Sequence, residues 1–195
     1  MLNISGLQNA LLNNSKTQNY IFSRLLLAAI LFYFLWLMIP RLQDNLWNDE
    51  IYTLKNFTLV SFHHTVTDYH VPNNHVFYNL CDNAYLKLLG IHQIKAVMER
   101  PQILRLPLLF LALLTIICAF KTGKLIAGDK AGLLAAGILV VTISFQNFCL
   151  QVRGYPFSQF FDLLLIFATL AYLFKPHSGK GKREINWPRM ILHLF

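Results

Sequence analysis

The sequence predicts an all-α integral membrane protein: about four transmembrane helices, plus interfacial helices in a large first external loop. Three observations carry this reading. Of 195 residues, 55% are hydrophobic and only 13% charged, where a soluble domain carries about 25% charge. The apolar residues gather in four runs near the length needed to cross hydrocarbon. Lys and Arg cluster in short segments between those runs, the distribution that sets membrane orientation.

Taken in order, residues 1–19 are polar, Asn-rich and without periodicity, and read as a cytoplasmic tail. The first run, 21–40, has Arg24 at its start and Arg41 just beyond its end. It is longer than the apolar core of a signal peptide and ends Leu37-Met38-Ile39-Pro40 without a small-residue cleavage site, so it reads as an uncleaved anchor. The second run covers 103–120, with Arg105 and Pro107 near its start; the third covers 131–150 and the fourth 157–174.

Lys121, Lys124 and Lys130 lie between the second and third runs, and Lys175, Lys180, Lys182 and Arg183 follow the fourth. The loop between the third and fourth holds only Arg153. The Lys-rich loops are therefore predicted to be cytoplasmic, with the amino terminus on the same side and 41–102 external. Residues 20–174 form one transmembrane module on this reading. Residues 175–195 are a basic cytoplasmic segment that runs into another apolar stretch at 187–192, which makes the bundle look incomplete.

The external loop has helical signals of its own. Val76, Phe77, Leu80, Cys81, Ala84, Tyr85, Leu88 and Leu89 make an apolar stripe stopped by Gly90, with Asn79, Asp82, Asn83 and Lys87 opposite. Such a helix suits the membrane interface or the side of the bundle. A shorter helix is predicted to start near Asn48, whose side chain can cap it, with Asp49 and Glu50 favoured in the first turn by the helix dipole.

Some functions are disfavoured at once. Net charge is +8, yet no basic helix with interleaved aromatics offers a track for nucleic acid. Cys81, Cys118 and Cys149 form neither a zinc motif nor a disulfide framework. His63, His64, His70 and His75 lack the compact spacing of a zinc site.

The chemistry-bearing residues collect at the external ends of the runs. Asp49 and Glu50 can act as a general base or grip a divalent cation, or can simply begin a helix. In Asp68-Tyr69-His70-Val71-Pro72-Asn73-Asn74-His75, His75 can contact phosphate, metal or sugar, and the bland alternative for Asn73 and Asn74 is that they simply cap the helix. Arg105 and Arg153 can snorkel to the interface or clamp a lipid-linked phosphate. Asp162, about one turn into the fourth run, is a functional candidate unless an arginine pairs with it.

These residues in this order carry a resemblance. Asp49-Glu50 with Tyr52 after the first run, Pro72-Asn73-Asn74-His75-Val76-Phe77-Tyr78, Glu99-Arg100, Arg105-Leu106-Pro107 and Arg153-Gly154-Tyr155 together resemble the amino-terminal part of GT-C glycosyltransferases. The likeness is nearest to bacterial members similar to protein O-mannosyltransferases and lipid A aminoarabinose or galacturonic acid transferases. It covers nearly all of 20–174.

The resemblance implies an enzyme of the plasma (inner) membrane that transfers a sugar from a polyprenyl-phosphate carrier to a protein, lipid or glycan hydroxyl on the outer face. Asp49 takes the catalytic acidic position and Glu50 the second acidic position. Tyr52, Asn74, His75, Arg105, Arg153 and Tyr155 are the expected substrate-binding residues. No cofactor is implied with certainty, and a divalent cation remains open. The chain is shorter than such enzymes, which leaves open an inactive amino-terminal fragment. The alternatives are a four-span scaffold or regulatory subunit, and a transporter, for which the sequence has no internal repeat.

Overall fold

The computed structural model describes residues 4–71 and 74–174. The basic 175–195 segment with its further apolar stretch, and the Pro72-Asn73 pair, lie outside the described residues. Those described form helices and connecting segments, with no strand among them. Among the described residues three helices are long and apolar enough to cross a membrane, their qualifying stretches being Thr17–Gln43, Gln102–Ala127 and Tyr155–Leu173.

The first of these, α1, runs Ile4–Met38 and so begins inside the segment read as a tail. Leu7, Ala10, Leu11 and Leu12 are good helix formers, and extending an existing helix costs far less than nucleating one. Pro40 lacks the amide that would continue the ladder, and the chain tightens into a 3-10 turn at Pro40–Gln43. After it come α2 (Asn48–Thr53), continued by a π turn at Leu54–Thr58, then α3 (Phe62–Thr67), α4 (Val76–Leu88) and α5 (Ile94–Glu99).

The central post is α6, Gln102–Ala127. Of its apolar window 56% is buried, against 22% for the first long helix and 11% for the last, α9 (Tyr155–Leu173). Pro107 lies inside α6 and deprives the Ile103 carbonyl of its helical donor. The Tyr85 hydroxyl of α4 donates to that carbonyl at 3.2 Å. One short helix thus repairs the defect in a long one.

Beyond α6 the chain reverses at Gly128, whose φ of 84° favours glycine, into α7 (Asp129–Val141). The two helices meet at small residues. A Cβ on Gly123 would lie 2.6 Å from the Ala131 carbonyl oxygen, and one on Gly132 2.5 Å from that of Phe120. Lys124 Nζ pairs with Asp129 across the turn at 2.6 Å. On its other sides α6 packs against α9 and, more lightly, α1, and α1 also packs against α7.

The third predicted span is not one long helix. It divides into α7 and α8 (Ile143–Phe148), with Thr142 at φ −73°, ψ 117° between them. The break falls in the β-branched run Val140-Val141-Thr142-Ile143, whose side chains crowd the preceding helical turn. The Thr142 hydroxyl donates to the Ile138 carbonyl at 2.7 Å, and the Gln146 amide donates to the Val140 carbonyl at 2.8 Å. Side chains therefore take over part of the hydrogen bonding that the break removes.

The face of α4 also departs from expectation. Tyr78, Asn79, Asp82, Asn83 and Leu86 are its buried residues, while Phe77 is 60% and Leu88 87% exposed. The polar face turns inward because the 54–68 stretch, with its π turn and short helix, has carbonyls and amides to satisfy. Asn83 Nδ2 donates to the carbonyls of Thr58 and Val60, at 2.5 and 2.7 Å. Asn79 accepts from the Thr58 hydroxyl and donates to Asn74 Oδ1. Only Phe77 of the apolar stripe finds large aromatic partners, edge-on to Phe157 and Phe161 of α9.

Asp162 lies two turns into α9, deeper than the sequence suggested, and is exposed. No arginine among the described residues pairs with it. At the centre of a bilayer such a carboxylate costs roughly 2.5–3.5 kcal/mol on insertion scales.

Gly132→Ala is expected to destabilise the α6–α7 hairpin by about 1–3 kcal/mol, read as a lower unfolding midpoint in mixed micelles. Gly137→Ala, at a position where a Cβ meets nothing within 4 Å, should leave that midpoint in place or raise it.

Candidate functional site

The site is organised around the first turn of α2. Trp47, not Asn48, is the N-cap, and the helix starts at Asn48. Glu50 reaches back so that its Oε2 accepts the Trp47 amide at 2.8 Å, half of a capping box. Its Oε1 accepts the Val152 amide, 102 residues away, at 2.7 Å. Arg105 Nη2 stands 3.5 Å from Oε2. Glu50 is only 1% exposed, so this carboxylate is consumed in holding α2, α6 and the segment before α9 together.

Arg105 is equally occupied. Its Nη1 donates to the carbonyls of Arg41, Leu42 and Asp44, and its Nη2 to that of Asn45. A buried cation thus gathers the 41–45 carbonyls into a turn. The two acidic residues of α2 each engage a different arginine, and only one of these pairs opens to solvent.

That pair is Asp49 with Arg153, Nη1 to Oδ2 at 3.2 Å. The Asp49 side chain is 64% exposed and that of Arg153 9%. The Arg153 guanidinium lies 5.1 Å from the centre of the Tyr155 ring, within cation–π range. Tyr155 in turn meets His75 edge-on, ring centres 5.2 Å apart. Gly154 makes this approach possible, because a Cβ there would come within 2.8 Å of the His75 ring. Burial, assisted by the charge of Arg153, lowers the His75 pKa and so favours the neutral ring. His75 Nε2 is buried without a hydrogen-bond partner among the described residues.

A second chain of groups starts from Tyr52 on the same short helix. Its hydroxyl lies 2.8 Å from His70 Nε2; His70 Nδ1 lies 2.5 Å from Asp68 Oδ1; His64 Nε2 lies 2.9 Å from Asp68 Oδ2. An ionised carboxylate only accepts, so Nδ1 donates to Asp68, and a neutral His70 takes the Tyr52 proton in its hydrogen bond. The hydrogen bonds from the His70 side chain and backbone amide hold the Asp68 carboxyl below its ordinary range. This order of hydroxyl, imidazole and carboxylate can accept a proton. Asp68-Tyr69-His70 stood out in the sequence as polar, but its link to Tyr52 depends on the turn between α2 and α3.

Asn74 has another occupation. Its Nδ2 donates to the carbonyls of Thr65 and Asp68, at 2.7 and 2.8 Å, while its Oδ1 accepts from Asn79. It closes the loop that presents His75. Among the described residues no three His, Cys, Asp or Glu side chains gather as metal ligands, and all three cysteines are free. The structure therefore brings Asp49, Arg153, Tyr155 and His75 into one cluster and places Tyr52 beside it on α2. Glu50, Arg105 and Asn74 form the frame.

Sequence reasoning missed Asp82. It is buried on the inner face of α4 beside Tyr78, with Oδ2 lacking a partner among the described residues. Burial pushes its carboxyl up to about 7, only partly offset by the Tyr78 hydroxyl. The signal in the sequence was a charged residue among asparagines on one helical face, which reads as solvated.

Comparison with protein-family models, with curated proteins and with solved structures returned no match. Function must be argued from the site.

Glu50→Ala would leave Arg105 buried without its charge partner and free two amides, and should cost about 3–5 kcal/mol of stability, measured by denaturant unfolding. For Asp82, the folded pKa lies above the unfolded one, so the folded chain binds the extra proton. Its stabilising effect is full below about pH 4 and declines by about 1.4 kcal/mol per pH unit up to about 7. The stability of the native chain relative to Asp82→Asn should therefore fall across that window and level off above it, in unfolding curves recorded from pH 4 to 8.

Proposed function

We propose that the chain is a membrane-spanning glycosyltransferase module of GT-C type, taking a sugar from a polyprenyl-phosphate carrier to a hydroxyl acceptor outside the membrane. The observation that carries the reading is the solvent-open Asp49 carboxylate, held by Arg153 where the chain leaves one long apolar helix and enters another. Asp49 and Arg153 lie at the helix ends opposite Lys121, Lys124 and Lys130. The positive-inside rule puts those lysines in the cytoplasm and the site outside, with the amino terminus cytoplasmic.

The proposed chemistry follows from the groups present. Asp49 takes the acceptor hydroxyl proton as the new bond to the anomeric carbon forms. The bond from that carbon to the carrier phosphate breaks, and Arg153 stabilises the charge that gathers on the phosphate. Arg105 was an expected partner for that phosphate, but its donors are already committed to carbonyls and Glu50. In this reading the phosphate role falls to Arg153, whose guanidinium already stands beside the open Asp49 carboxylate. His75, its ring kept neutral by burial, has an Nε2 without a hydrogen-bond partner among the described residues; in this reading that atom turns to the sugar or phosphate when the donor enters, and the Tyr155 ring supplies an apolar wall. The break between α7 and α8 is compatible with a third crossing made by a bent helix, since broken helices are tolerated where protein or a cavity covers them.

Membranes containing the chain should transfer label from a radiolabelled polyprenyl-phosphate sugar to an endogenous acceptor. Asp49→Asn should lower that transfer by about 10²–10⁴-fold, the usual range for loss of a general base. No transfer by the correctly inserted native chain would overturn the proposal.

A further inference from the structure

A second feature lies away from this site, on the side of α9. A groove of about 350 Å³ runs between α6, α7–α8 and α9, lined by Thr115, Leu139, Thr142, Phe145, Gln159, Asp162, Leu163 and Ile166. Its α9 wall is made by 159, 162, 163 and 166, the i, i+3, i+4, i+7 spacing of a helix-packing seam. Its other wall repeats every three residues, at Leu139, Thr142 and Phe145.

The polar groups of the groove are specific. Asp162 makes no ion pair among the described residues. Gln159 lies one turn before it on α9, and Thr115 and Thr142 face it from α6 and the α7–α8 break. Asp162 follows Tyr155 by about two turns, or roughly 10 Å of helix. A carboxylate at that depth in hydrocarbon needs a cation or strong donors. Arg105 and Arg153 are engaged elsewhere, and Arg24 is on α1, toward its opposite end from the site.

We infer that this groove is a docking site for a transmembrane helix of another polypeptide, one carrying a lysine or arginine about two turns below its outer end. The inference rests on the membrane placement proposed above and is independent of sugar transfer. Charge complementarity sets the cation. The seam spacing on two walls sets the helix, because a groove between two helices is filled along its length by a third. The rest of the open α9 surface, including Phe161, Leu164 and Leu165, meets lipid on either side of the docked helix.

The test uses the full chain, labelled at its amino terminus with an acceptor fluorophore and reconstituted in phosphatidylcholine vesicles, with insertion checked by protease protection. The probe is a donor-labelled Leu/Ala helix of about 22 residues, long enough to span, with one Lys two turns from its outer end. Energy transfer should show this helix binding at least tenfold more tightly than its Lys→Leu analogue. Asp162→Asn should abolish the difference, and Asp162→Glu should retain it. Equal binding of the two helices, or a preference that survives Asp162→Asn, would overturn the inference. So would octylamine competing as well as the Lys helix, which would make the groove an amine-lipid site. A chain that fails protease protection removes the membrane placement itself and the inference with it.

Discussion

Glu50 is the point on which the geometry turns. One buried carboxylate receives the amide of Trp47, the amide of Val152 and the charge of Arg105. Those partners belong to the start of α2, the segment leading into α9, and the amino-terminal end of α6. A buried carboxylate without such partners would be prohibitively costly, and with them its burial imposes a single arrangement. Asp49 is the residue just before it in the chain and inherits its position from this anchor. Its side chain can stay open to solvent because its neighbour is fixed.

Many polar residues between α1 and α6 serve either the frame or the open cluster. Arg105 satisfies the carbonyls of the 41–45 turn, and Asn74, Asn79 and Asn83 satisfy those of the 54–68 stretch. Irregular backbone on this scale carries many donors and acceptors that helices would have paired internally. Side chains that look like ligands in the sequence are therefore spent on the chain itself. Among the described residues, the groups left open include the exposed side chain of Asp49, His75 Nε2 and Asp82 Oδ2, which have no hydrogen-bond partner there, and the Tyr52 hydroxyl with its imidazole partner.

The long apolar helices were legible in the sequence because their signal is local and cumulative. The runs at 21–40, 103–120 and 157–174 lie inside or along α1, α6 and α9, each helix extending past the apolar run at one end or both. The run at 131–150 looked the same by hydropathy, but hydropathy does not register where β-branched residues succeed one another, and there the helix parts. The existence and end of α4 were also legible, from its stripe and from Gly90. Its facing was not, because a polar face is buried only when another segment brings unpaired backbone to it. For the site, proximity in sequence identified Asp49 and Glu50 together but gave no means of telling them apart. That distinction comes from Val152 and Arg105, which are distant in the chain.

The inverted facing of α4 has a mechanical corollary. Its outer surface presents Phe77, Leu88 and Leu89, and at its inner surface the Tyr85 hydroxyl holds a carbonyl near the start of α6. On the membrane placement proposed above, that surface would act as a float settled at the waterline between headgroups and hydrocarbon. The His75 loop leads directly into α4, so the height at which the helix floats would then set the height of the Asp49 cluster as well. The level at which a ligand meets the cluster would follow from buoyancy as much as from packing.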